Sequence, residues 1–159
     1  EKHLETLLVA QGYDIFHPQK HSLAEQIARY KAATHVLAAE GSALHLFAMV
    51  ARADQKVGIV VRRQSGATRS IARHIKAFSG KRPQLIESIH RHWMPRDGIR
   101  KHMSVAELDF PQLQKRLTRS GFISPTEEWP RIDEQSSENE IMSQRFRRVM
   151  NYQPLPLAP

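Results

Sequence analysis

Between Thr34 and Ala51 the chain reads Thr-His-Val-Leu-Ala-Ala-Glu-Gly-Ser-Ala-Leu-His-Leu-Phe-Ala-Met-Val-Ala, and no other stretch constrains the fold as much. A short apolar run from Val36 to Ala39 gives way at Glu40-Gly41-Ser42 to a run that is apolar nearly all round, which predicts a buried strand turning tightly into a buried helix. Gly41 has no Cβ to hold a ligand off the backbone, and Ser42 suits an N-cap. The first N–H groups of the helix point outward with the positive end of its dipole. Such a corner suits a phosphate or diphosphate, although one glycine between a strand and a helix is equally an ordinary tight connection.

The flanking sequence repeats the same alternation. Leu4, Leu7 and Leu8 form one stripe of a helix that Gly12 closes, with Tyr13 packing back on Leu8. Tyr13 to Phe16 predicts a short strand ended by Pro18. Ser22-Leu23-Ala24-Glu25 is a capping box that opens a helix with Leu23, Ile27 and Tyr30 inward; Gln26, on its first turn, reads as a surface residue. Lys56 to Val61 predicts a strand covered on both faces, which delivers Arg62 and Arg63 at the carboxyl end, where open parallel sheets bind ligands. Ile71, Ile75 and Phe78 stripe a further helix ended near Gly80, and Gln84 to Ile89 predicts a fourth strand. The order predicts a Rossmann-like, doubly wound parallel sheet with helices on both faces, its strands ending near Phe16, Glu40, Arg62 and Ile89. A helix leading straight into a strand is an unusual opening for such a domain and predicts further protein upstream.

Arg91 to His102 reads as irregular and basic. Asp109 then caps a helix with Pro111 in its first turn, striped by Phe110, Leu113 and Leu117 and closed at Gly121, where Phe122 packs on Leu117. Residues 1–123 thus form one domain. Residues 124–159 read as a mobile linker from Ser124 to Glu140, a short helix from Ile141 to Met150 with Ile141, Phe146 and Met150 inward, and a Pro-rich tail.

The net charge of +8 and pI near 10.2 require an anionic partner class or a solvated surface. Nucleic acid is one candidate, but the basic residues are dispersed, with no zinc-finger spacing and no run of base-stacking aromatics. No apolar run is long enough to span a bilayer, and the first residues lack the order of a signal peptide. The chain has no cysteine, so neither a disulfide framework nor a thiolate metal site is expected. His90 and His92 fall on one side of a strand, yet no carboxylate stands at a clear ligand spacing, and they are not expected to bind metal.

Gly12-Tyr13-Asp14-Ile15-Phe16, Ser22-Leu23-Ala24-Glu25-Gln26 and Ala33 through Leu44, with Leu108-Asp109-Phe110 and Gly121-Phe122-Ile123 further on, resemble the C-terminal half of the family 61 glycosyltransferases, which include bacterial capsular polysaccharide biosynthesis proteins. The resemblance implies a GT-B type enzyme whose Rossmann-like C-terminal half holds a nucleotide-sugar donor, while an N-terminal half holds much of the acceptor site. By the same resemblance Gln26, Glu40, Gly41, Ser42 and Ala43 are donor-site candidates, with His45 one turn into the helix either reaching the same cleft or packing as a core histidine. Many eukaryotic relatives read His-Gly-Ala-Gly at the central turn, whereas this chain has Glu40-Gly41-Ser42-Ala43. Stabilising the leaving diphosphate falls to the helix amides together with Arg62 or Arg63, so no metal or other cofactor is expected. Glu40 is the local candidate for the base that takes the acceptor proton. The implied partners are a nucleotide-sugar donor, a glycan acceptor and an N-terminal half, with no specific nucleic acid and no membrane span. The implied location is cytoplasmic or peripheral to the inner face of the membrane. A non-catalytic basic module for nucleic acid or another polyanion is the alternative.

Overall fold

A computed structural model describes residues 2–63, 66–95, 104–143 and 152–155. Helix α1 (Lys2–Val9) closes as the spacing predicts. Gly12 adopts φ 85°, its N–H returns to Val9 O at 2.9 Å, and Tyr13 N–H returns to Leu8 O at 3.1 Å. These are the two bonds of a Schellman motif. Helix α2 (Leu23–Ala32) opens on the expected capping box: Ser22 N–H donates to Glu25 Oε2 at 2.8 Å, and Glu25 N–H donates to Ser22 Oγ at 3.3 Å. The Ser22 hydrogen bonds hold the Glu25 carboxyl below its ordinary range.

Strands β1 (His35–Ala39), β2 (Lys56–Val60) and β3 (Gln84–Ile86) form a parallel sheet in that order, with helix α3 (Ala43–Val50) between the first two and α4 (Ala67–Ser79) between the last two. The period of two along β2 divides the core. Val57 and Ile59 pack with Tyr30, Phe47 and Ile75 on one face, while Val60 packs with Leu8, Leu113 and Phe122 on the other. Helices α2, α3 and α4 therefore cover one face, and α1 and α5 (Phe110–Arg119) the other. Gly58 is required by close approach, since a Cβ there would stand 2.8 Å from Phe122 and 3.0 Å from Leu37. Phe122 reaches that site through a second Schellman close, with Gly121 at φ 66° and Phe122 N–H on Leu117 O at 2.8 Å. An α/β fold around a parallel sheet is thus present. The strand order runs with the chain, and no reversal of the kind that makes a switch point occurs among the described residues.

Several expectations are corrected. Tyr13 to Phe16 is not a strand. The Tyr13 hydroxyl donates to Phe122 O at 2.8 Å, and Phe16 stacks on His21 at 4.6 Å, so this segment is committed to side-chain packing. The fourth strand stops at Ile86, and Ile89 opens a separate element. Strand β4 (Ile89–Pro95) is the centre of a second, antiparallel sheet between β5 (Val105–Leu108) and β6 (Tyr152–Leu155). Residues 91–95 are therefore strand rather than irregular, while 96–102 lie outside the described residues. Leu23 and Phe78, expected inward, are 60% and 55% exposed.

Beyond residue 123 the chain is more engaged than its composition suggests. Trp129 is buried in the core with Leu113 and Leu117. Its N–H donates to Gln114 Oε1 at 2.8 Å, and Gln114 Nε2 donates back to Glu127 O at 2.8 Å. Helix α6 (Glu134–Ser143) starts seven residues ahead of Ile141, and Ile141 packs on Trp93. Phe146 and Met150 lie outside the described residues. Tyr152–Leu155 pairs along β4 instead of running as a free tail.

Candidate functional site

The parallel register carries the ends of β1 and β2 to the same edge: Ala39 lies opposite Val60, and Glu40 N–H donates to Val60 O at 3.0 Å as the last rung. Helices α3 and α4 start from that edge, so their positive dipole ends converge on it. Glu40 sits between them, 1% exposed. Its Oε1 accepts from Arg63 Nε and its Oε2 accepts from the Thr68 hydroxyl in the first turn of α4. A buried carboxylate is tolerable only when both oxygens are satisfied, and here one ion pair and one hydroxyl do so. Glu40 is thus an internal anion that joins β1, the end of β2 and the start of α4. Both oxygens are occupied, and the side chain has no contact with solvent.

The other candidates divide. Arg62 follows β2 and is exposed, whereas the Arg63 side chain is 13% exposed and held on Glu40. Gly41 is open: a Cβ there would meet only Ala39 O, at 3.7 Å. Ser42 is not the expected capping residue. Its backbone is already helical, at φ −63° and ψ −27°, and its side chain makes no capping bond. The exposed hydroxyl of Ser42 therefore faces outward with the turn. Leu44 N–H and His45 N–H are taken up on Gly41 O at 3.2 Å and Ser42 O at 3.0 Å, which leaves the corner to the amides at Gly41, Ser42 and Ala43.

Two candidates are engaged elsewhere. Gln26 Nε2 donates to Pro18 O at 2.9 Å and to His21 O at 3.1 Å, which ties the 3-10 turn Pro18–Lys20 to α2. The His45 ring lies against His74 on α4, Nδ1 to Nδ1, at 3.3 Å.

Two groups were not legible as site residues in the sequence. Thr68 carries no motif; only the fold brings it to Glu40. In the second sheet, buried Glu107 accepts from Arg91 Nε at 3.0 Å and from Trp93 Nε1, while the Arg91 guanidinium lies 4.9 Å from the centroid of the Trp93 ring. His90, two residues before His92, pairs with Glu134 at 3.2 Å. His92 is buried, its Nε2 has no hydrogen-bond partner among the described residues, and burial pushes its pKa down. A cavity of about 200 Å³ opens at the opposite, amino edge of the sheet, between Arg52, Lys56, Lys81 and Arg82. Among the described residues no group of three or more His, Cys, Asp or Glu is placed to hold a metal ion, and no helix is long and apolar enough to cross a membrane.

Residues 1–60 match the family model Glycosyltransferase 61. The match spans 60 of the 159 residues, so it is this first part of the chain that is similar to Glycosyltransferase 61. It runs from α1 through β1 and α3 to the last residue of β2, so it contains the Glu40–Ala43 corner and stops just before Arg62 and Arg63. The comparisons with curated proteins and with solved structures returned no match.

Proposed function

We propose that the chain is the donor-binding part of a glycosyltransferase, the Rossmann-like C-terminal half of a GT-B type enzyme. It would transfer a sugar from a nucleoside-diphosphate sugar to a glycan acceptor in polysaccharide biosynthesis. The observation that carries this reading is the carboxyl edge itself, where buried Glu40 fixes Arg63 and α4 while Gly41, the Ser42 hydroxyl and Arg62 stay open beside it. In this reading the diphosphate lies over Gly41, Ser42 and Ala43, and Arg62 closes on it. Negative charge that builds on the leaving diphosphate is met by the α3 dipole, the turn amides and a guanidinium, so the transfer step is metal-independent. Glu40 serves as a positioning residue rather than the base, because its oxygens are committed to Arg63 and Thr68. The base and much of the acceptor site belong to an N-terminal half. The setting is cytoplasmic or peripheral to the inner face of the membrane.

The basic cavity at the amino edge gives the polyanion reading one observation of its own. Calorimetric titration of nucleoside diphosphates and of a single-stranded oligonucleotide, each at several salt concentrations, separates the two. Saturable nucleotide binding with a shallow salt dependence supports the transferase. Steeply salt-dependent oligonucleotide binding without nucleotide saturation supports the polyanion module.

A further inference from the structure

Helices α3 and α4 share a core of Leu44, Phe47, Ala48, Ile71, Ala72 and Ile75, so side chains on their outer faces are held at set separations. His45 and His74 stand on this pair with Nδ1 atoms 3.3 Å apart and ring planes tilted by 49°. Phe78 packs edge-on against His74 at 5.0 Å, which restricts its ring. At 3.3 Å the two nitrogens share one long hydrogen bond when one ring carries its proton on Nδ1 and the other does not, and a metal ion would take the place of that proton. Nitrogens so placed subtend about 107° at an ion ~2.05 Å from each, close to the tetrahedral angle. The ~90° cis positions of square-planar copper or nickel would need a separation nearer ~2.9 Å.

The geometry points to His45 and His74 as an open two-histidine site for a tetrahedral divalent ion, zinc(II) before the other first-row metals. His45 is exposed, so water reaches the site and completes the coordination sphere. Arg69 and Arg73, exposed on α4 with His74, add positive charge that keeps the affinity modest. The site is separate from the proposed transfer step and is read by binding alone.

Zinc chloride titrated calorimetrically into the chain is the test, beside His45→Ala, His74→Ala and, as a control for the remaining histidines, His35→Ala. A saturable one-to-one isotherm is expected for the unaltered chain and for His35→Ala, weakened by about tenfold or more in either of the other variants. Histidine side-chain nitrogen NMR of the unaltered chain should show zinc moving Nδ1 of His45 and His74 while Nε2 keeps its proton. This arm decides the matter if a variant fails to fold. Equal affinity in all four proteins, an absence of saturable binding, or Nδ1 resonances that zinc does not move would overturn the proposal.

Discussion

Arg63 donates its Nε–H to Oε1 of Glu40, a carboxylate with no exposed side-chain surface, and so ties the carboxyl ends of β1 and β2 to each other. Removing Arg63 leaves the buried Glu40 carboxylate without this counter-charge, and breaking a buried pair in that way costs about 3–5 kcal/mol. Glu40→Gln and Arg63→Met should each lower stability in urea by an amount of that order, and the double variant should lose clearly less than the sum. Additive losses would show that the two side chains do not act as a pair.

Gly58 and Phe122 form a steric couple. Gly58→Ala places a methyl 2.8 Å from the Phe122 ring, and overpacking of this kind costs about 1–3 kcal/mol. Shortening the partner with Phe122→Leu should recover part of that loss. If Gly58→Ala melts with the unaltered chain, the close approach is not a constraint.

The parts of this fold that could be read from sequence are those in which one local rule decides the outcome. Leu8-Gly12-Tyr13 and Leu117-Gly121-Phe122 fix two helix ends through a left-handed glycine and its apolar return contact, and the β-branched run at Val57 to Val60 fixes the central strand. What escaped is what tertiary partners decide. Tyr13 to Phe16 has strand composition, but Tyr13 is drawn to Phe122 O. His90-Arg91-His92-Trp93 hides a strand because half-buried Arg91 is paired with Glu107 and faces Glu138 of α6, a polar partnership that no apolar alternation announces. At the candidate site the corner was legible, and so was the arrival of two arginines. Which arginine stays exposed depends on Glu40 and Thr68, a pairing 28 residues apart in sequence.

Trp129 tests how firmly the segment after residue 123 is held. Its amide, buried and bonded to Gln114 Oε1, should exchange far more slowly than its neighbours in hydrogen-exchange measurements. Gln114→Ala should abolish that protection while the β2 amides stay protected. Fast exchange at Trp129 in the unaltered chain would return the whole segment to a loose tail.

His92 makes stability depend on pH. Burial holds its folded-state pKa below the ordinary histidine value, so the folded state resists taking a proton that the unfolded chain accepts. The contribution is intact above about pH 6.5. It declines as pH falls through the unfolded value toward the folded one. Urea unfolding between neutral and mildly acidic pH should therefore show a stability loss that His92→Phe reduces. An identical slope in the variant would assign that loss to other groups.

The most direct test of the proposed donor site is the affinity of a nucleoside diphosphate for the unaltered chain, Arg62→Ala and Gly41→Val, measured by calorimetry with circular dichroism of each protein. Arg62 is exposed and a Cβ at Gly41 meets nothing closer than 3.7 Å, so both variants should fold as the unaltered chain does. A charge-assisted contact is worth about 1.5–3 kcal/mol, so Arg62→Ala should weaken binding by roughly ten- to a hundred-fold. Gly41→Val should do at least as much by holding the phosphates off the backbone. Binding of equal strength in all three folded proteins would contradict a diphosphate site at this corner.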